Sequence, residues 1–170
     1  MLLYAVIDKT QSSSMVDKEG ALAGIISYLA TSTINQSTEI GWVITLPPFQ
    51  RTHVTSNAVG LLLNLALSPP AEGGLGFRRV QWMTSSANHK SIRTAERMGF
   101  LKEGVLRWDR VYPGGKTKGK QDNGKSLQSQ GTEGHFNEND LGRDSVVFSI
   151  CWDDWFDEGK REHVIRTMAA

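Results

Sequence analysis

The sequence predicts a mixed α/β (α+β) fold: a mostly antiparallel, twisted sheet flanked by helices. Three observations point to it. Strand-like segments come one after another with no helix until about Thr52, so the first part of the chain pairs as antiparallel neighbours. A strongly apolar helix then leads into a second strand–helix–strand passage. The chain closes on two long strands, Leu101–Tyr112 and Asp144–Trp152, separated by a polar stretch.

In order, Leu2–Ile7 and Ala21–Thr31 read as strands joined by a Ser-, Asp- and Gly-rich loop over Lys9–Gly20, longer than a usual hairpin connection. Thr33–Thr38 turns into a third strand, where Ile40, Trp42 and Ile44 alternate with Glu39, Gly41 and Val43. Pro47-Pro48 stops it, because neither proline can donate to a ladder. Val59, Leu62, Leu63 and Ala66 then share one helical face, with Thr52 the expected N-cap. Ser68-Pro69-Pro70 ends that helix and Ala71–Gly76 connects to a strand carrying Val80, Trp82 and Thr84. Asn88 opens a second helix, and Gly99 supplies a left-handed stop that returns Phe100 to the core. Between the last two strands, Lys116–Gly142 holds four lysines, three glutamines and five glycines. So polar a stretch buries too little surface to offset its ordering entropy, and reads as a disordered surface loop or a substrate-recruiting arm. Trp155–Met168 is a tail with helical character.

Composition narrows the function. A chain of 170 residues is long enough for one domain with a real core. Net charge is +1, and the lysines of 116–125 lack interleaved aromatics, so a nucleic-acid partner is not expected. The longest apolar run, Ala58–Leu67, is too short to span a bilayer, and the Met1 segment lacks a basic leader, so a cytoplasmic protein is expected. The single cysteine, Cys151, excludes a disulfide framework and suits a reducing compartment. The four histidines show no zinc-site spacing, and no metal is expected.

Gln50-Arg51-Thr52-His53-Val54-Thr55 lies between a strand end and a helix start, where unpaired N–H groups and positive dipole can hold a phosphate. Arg51 adds a full charge there; the alternative is a plain loop entering a buried helix. Downstream, Asn88-x-x-Ser91 and then Arg97-Met98-Gly99-Phe100-x-x-Glu103-Gly104 resemble the second half of a GNAT acyl-CoA N-acyltransferase. The resemblance is to the branch of ribosomal-protein alanine and serine acetyltransferases. Pro48-x-Gln50-Arg51-Thr52 is similar to that branch's pyrophosphate loop, and Arg143-Asp144-x-Val146-x-Phe148-Ser149-Ile150 with Asp153-Asp154-Trp155 to its last strand and tail.

The resemblance implies acetyl-CoA as donor, a primary amine (protein N-terminus or small molecule) as acceptor, and direct attack in a ternary complex. It assigns the pyrophosphate to Gln50, Arg51, Thr52, His53, Val54 and Thr55. His53 stands where a small residue is commonest, and can itself be a phosphate contact. A backbone N–H near Val43 or Ile44 would polarise the thioester carbonyl, and Asn88 would contact the pantetheine arm while capping its helix. Ser91 is the candidate general acid near the leaving sulfur, or else an ordinary helical serine. Ala95 occupies the place of a tyrosine acid used elsewhere in the superfamily. Glu39 is the candidate general base, or else a solvent-facing carboxylate; as a base it needs its pKa raised by burial.

The resemblance also implies a single acyltransferase domain over 1–157 with a tail at 158–170, and makes 117–142 an insertion in a tight hairpin. Relatives place a strand and one or two helices ahead of the segment matching Leu2–Asp8, so the chain reads as N-terminally truncated, with an exposed sheet edge available for a homodimer. The competing reading is a catalytically impaired CoA-binding or protein-interaction module.

Overall fold

The computed structural model describes residues 1–11, 20–117, 119–125 and 140–169. Among these residues six strands and four α-helices are arranged in chain order: β1 (Leu2–Asp8), β2 (Ala21–Ser32), β3 (Ser37–Thr45), α1 (Val54–Leu67), β4 (Arg79–Ser85), α2 (His89–Arg97), β5 (Leu101–Tyr112), β6 (Leu141–Cys151), α3 (Trp152–Phe156) and α4 (Lys160–Ala169). One sheet takes the order β1-β2-β3-β4-β6-β5. Every pairing is antiparallel except β3 with β4. That parallel pair needs a crossover, and α1 supplies it.

Alternation along the strands selects one face for the core. Ile40, Val80, Trp82, Phe148 and Ile150 point to it and meet Val59, Leu63 and Ala66 of α1, Ala95 of α2, Trp155 of α3 and Val164 of α4. The buried cluster thus draws on all four helices, and each fully buried large side chain in it contributes about 1.5–3 kcal/mol. The opposite face carries Glu39, Gln81, Met83 and Val147, all half-buried. Tyr28 is buried and donates its hydroxyl to the Leu62 carbonyl, tying β2 to α1. Gly60 lets α4 settle onto α1: a Cβ there would collide with Met168 Sδ and lie 3.2 Å from Val164 Cγ1.

The expected elements are present, with three local differences. His53, not Thr52, is the N-cap of α1, although Thr52 Oγ1 still accepts the Val54 N–H at 3.3 Å. The last strand begins at Leu141, and the tail folds as two helices, the first held by Asp154 accepting the Cys151 N–H at 2.7 Å. Of the polar stretch 117–142, residues 118 and 126–139 lie outside the described residues, as does 12–19 of the first loop. Residues 119–125 fold back on β6: Asn123 donates its amide N–H₂ to Asp144 Oδ1 at 2.9 Å and its backbone N–H to the Gly142 carbonyl at 2.8 Å.

Candidate active site

The parallel junction is short. Ser37 pairs with Arg79, Thr38 with Val80 and Glu39 with Gln81, and there the ladder ends although β3 runs on to Thr45 and β4 to Ser85. A wedge opens at the carboxyl ends of two parallel strands, the usual place for a ligand in an open α/β sheet. The cause lies in β3. Opposite β2, Ser27 faces Gly41 but Ile25 faces Ile44, so β3 carries an extra residue and bulges. Trp42 takes the left-handed region at φ 51°, a strained conformation for a bulky residue costing roughly 1–3 kcal/mol. Ser27 Oγ donates to the Gly41 carbonyl at 2.8 Å and pins the bulge. A bulge bends its strand and re-aims the side chains beyond it. Val43 therefore packs on the core while Trp42 and Ile44 stay exposed.

Beyond β3 the chain turns through Pro47–Phe49 into the start of α1. Thr45 and Thr55 join hydroxyl to hydroxyl at 2.8 Å, Gln50 Nε2 donates to the Thr45 carbonyl at 3.1 Å, and Thr52 Oγ1 donates to the Phe49 carbonyl at 2.7 Å. These bonds shape the loop while the N–H groups of Thr55 and Ser56 find no acceptor among the described residues. Arg51 is exposed at φ 64°, so the position demanding a left-handed backbone holds arginine. His53 sits at helical angles (φ −60°, ψ −21°), so its side chain imposes no backbone strain. Its Nε2 lies 3.5 Å from Asp8 Oδ1 at the end of β1. Asp8 is buried and accepts both the backbone N–H and the hydroxyl of Thr10, at 2.9 and 2.7 Å. The Thr10 bonds chiefly, with His53 adding, hold the Asp8 carboxyl below its usual range.

Beyond β4, Asn88 caps α2 by accepting the Ser91 N–H on Oδ1 at 3.2 Å. Ser91 Oγ accepts the indole N–H of Trp82 at 3.0 Å. Ala95 is fully buried in the core. On the other face of the sheet stands Glu39. Burial pushes its carboxyl above the ordinary value of 4.5; a hydrogen bond from Gln81 and the charge of Arg110 pull back, and Asp109 and Arg143 act in opposite, smaller senses. Asp109 is itself held by Ser145 Oγ, which donates to its Oδ2 at 2.7 Å.

The residues expected from sequence fall into three groups around the wedge: Gln50–Thr55 at the start of α1, Asn88 and Ser91 at the start of α2, and Glu39 where the ladder ends, with Val43 and Ile44 along the diverging strand. Sequence reading missed the bulge at Trp42, the Asp8 partner of His53, and the pairing of Ser91 with Trp82. Only the bulge had a signal, the glycine inside a strand at Gly41. Cys151, Asp153 and Asp154 also bring possible metal-ligand atoms within 4.8 Å of one another, with Asp154 already engaged in capping α3. Among the described residues no helix is long and apolar enough to cross a membrane.

Among the described residues the sheet thus parts at its one parallel junction, with a helix starting beyond each parting strand. The model of the GNAT acetyltransferase domain matches residues 3–101, more than half of the chain, and the chain belongs to that family. Among solved structures, a GCN5-related N-acetyltransferase from Brucella melitensis superposes with a TM-score of 0.70 at 24% identity, over 98% of this chain and 57% of that one. A protein described as a probable acetyltransferase of the GNAT family, from Chromobacterium violaceum ATCC 12472, gives 0.57 at 28% identity, over 82% and 54%. A dodecameric spermidine N-acetyltransferase from Vibrio cholerae gives 0.55 at 16%, over 84% and 64%. The first and last of these identities speak for the fold alone. The chain spans less than two thirds of the length of each of these structures. Among curated proteins no match was found.

Proposed function

We propose that this chain is an N-acetyltransferase that moves the acetyl group of acetyl-CoA onto a primary amine, a protein N-terminus or a small molecule, by direct attack in a ternary complex. One observation carries this reading: β3 and β4 part immediately after Glu39 and Gln81, with a burial-raised carboxyl on one face and the Ser91 hydroxyl beside β4 on the other. An amine approaching from the Glu39 face and a thioester lying along the helix face meet between the strands. The residues present fit acetyl-CoA. Open N–H groups at the start of α1, with Arg51 and His53 beside them, suit the pyrophosphate. Asn88 suits the pantetheine amide, and the N–H groups near Val43 and Ile44 suit the carbonyl oxygen. Bound there, acetyl-CoA supplies the activated acetyl group. Glu39 then takes a proton from the amine, and a raised pKa brings it nearer the working pH.

The test is thermal unfolding of the purified chain with and without acetyl-CoA, and then thiol release with a panel of amines. At about a hundred times the dissociation constant the ligand stabilises the fold by roughly 2.7 kcal/mol. A folded chain with no shift overturns the cofactor site. A second reading, a CoA-binding or interaction module without turnover, is favoured by the Glu39 face, whose half-buried residues lie outside the core cluster built from all four helices. A thermal shift without thiol release from any amine would establish it.

A further inference from the structure

We propose that Trp82 is a positioning residue for acetyl transfer, fixing and polarising the Ser91 hydroxyl so that its proton faces the departing sulfur. The role rests on the acetyl-transfer chemistry above and names a residue which that chemistry does not by itself require. An indole nitrogen only donates, so in the 3.0 Å contact Ser91 Oγ is the acceptor and its own hydrogen is left for another partner. A helical hydroxyl normally spends that hydrogen on the carbonyl one turn back, as Thr94 does on Lys90 at 3.0 Å. Ser91, in the first turn of α2, makes no such bond among the described residues, and its oxygen is held by the indole.

The holder is rigid. Trp82 is 3% exposed, its ring lies 5.7 Å from that of Phe100, and it sits one residue past Gln81, the last residue of β4 paired with β3. Ser91 is fixed from its backbone too, through the Asn88 cap. A hydroxyl that accepts one hydrogen bond donates its own more strongly, since bonds in a chain polarise one another. In the transfer step the amine nitrogen bonds the acetyl carbon, the carbon–sulfur bond breaks with its electron pair passing to sulfur, and Glu39 takes the proton the amine gives up. The sulfur takes the Ser91 proton, solvent restores it to Oγ, and the Trp82 N–H steadies the charge that Oγ bears meanwhile. A purely structural role, in which Ser91 merely satisfies a buried indole, makes different predictions.

The test uses the full chain, ¹⁵N-labelled, and monitors the Trp82 indole N–H resonance, assigned by its loss in Trp82→Phe. CoA is expected to move this resonance and desulfo-CoA, which lacks only the sulfur, is expected to leave it in place. Equal effects from the two ligands overturn the proposal and leave the acetyltransferase reading standing. A folded chain that binds neither overturns both. With spermidine and a serine-initiated peptide as acceptor probes, Trp82→Phe should lower kcat roughly tenfold, the worth of one hydrogen bond, with KM for acetyl-CoA unchanged. Adding Ser91→Ala to it should cost no more than Ser91→Ala alone, as for groups acting as a unit. Additive losses, or a Tm change with unaltered kcat, would refute the coupling. If Trp82→Phe does not fold, the CoA and desulfo-CoA comparison on the unsubstituted chain still decides, the resonance then being assigned through Ser91→Ala.

Discussion

Glu39 sits in the sheet as a carboxylate whose environment works against its charge. Burial raises its pKa in the folded chain above the ordinary 4.5, so at neutral pH the folded state carries a destabilising contribution absent from the unfolded one. That contribution falls away as pH drops through the raised value, and below 4.5 both states are protonated. Glu39→Gln should therefore raise Tm at pH 7, with the gain shrinking to nothing near pH 4, while lowering kcat by about 10²–10⁴. Melting curves across pH, set beside a pH–rate profile, check both halves; a lower Tm at pH 7 would contradict the desolvation argument. Arg51 poses the same opposition in the backbone. Its left-handed φ of 64° costs roughly 1 kcal/mol that glycine would not bear, so Arg51→Gly should raise Tm without ligand and shrink the shift produced by acetyl-CoA. An unchanged ligand shift would remove Arg51 from the proposed phosphate site. The types and approximate places of these residues were legible because strand alternation and a helix start are local patterns. What Ser91 and His53 touch was not: Trp82 and Asp8 reach them through register and packing, which no window of sequence reveals.

The strands and the two central helices show the same division between local and distant causes. α1 declared itself through Val59, Leu62, Leu63 and Ala66, all buried against the sheet, and Gly99 marked the end of α2 by its left-handed φ of 87°. The parting of β3 and β4 stayed hidden, because a ladder ends where two strands diverge in space, and the bulge that drives the divergence shows in sequence only as one glycine before a tryptophan. The docking of α4 was also invisible. It depends on Gly60, whose missing Cβ admits Met168 and Val164. Gly60→Ala sets a helix-propensity gain of about 1 kcal/mol against that contact, and the flexible Met168 side chain can yield. Gly60→Leu leaves no such escape. It should undock α4 and expose Lys160–Ala169 to rapid amide exchange, while the amides of β4 and β6 keep their protection. Equal protection of α4 in both variants would show that the tail is held from elsewhere.

At the scale of the whole molecule, the elements make a sheet whose core lies on one side and whose β1 edge has no further strand beside it among the described residues. β1 is the terminal strand, and Leu2 and Leu3 stand 60% and 51% exposed along it. Natural edge strands are usually guarded by charge, proline or a bulge. Over Leu2–Val6 the pairing with β2 runs without a break and the side chains are uncharged; the only irregularity, between Val6 and Ile7, comes at the far end beside Asp8. An apolar, regular edge is a template for another strand, so the purified chain should self-associate with concentration. Leu3→Lys tests the cause directly. Leu3 pairs with Ser27, on the face opposite the core, so a lysine there reaches water without disturbing packing. Sedimentation velocity over a hundredfold range of concentration should show the parent chain shifting to a larger species and Leu3→Lys remaining monomeric, with Tm changed by no more than about 0.5 kcal/mol equivalent. A parent chain monomeric throughout would mean that the edge is guarded by something other than β1's own side chains.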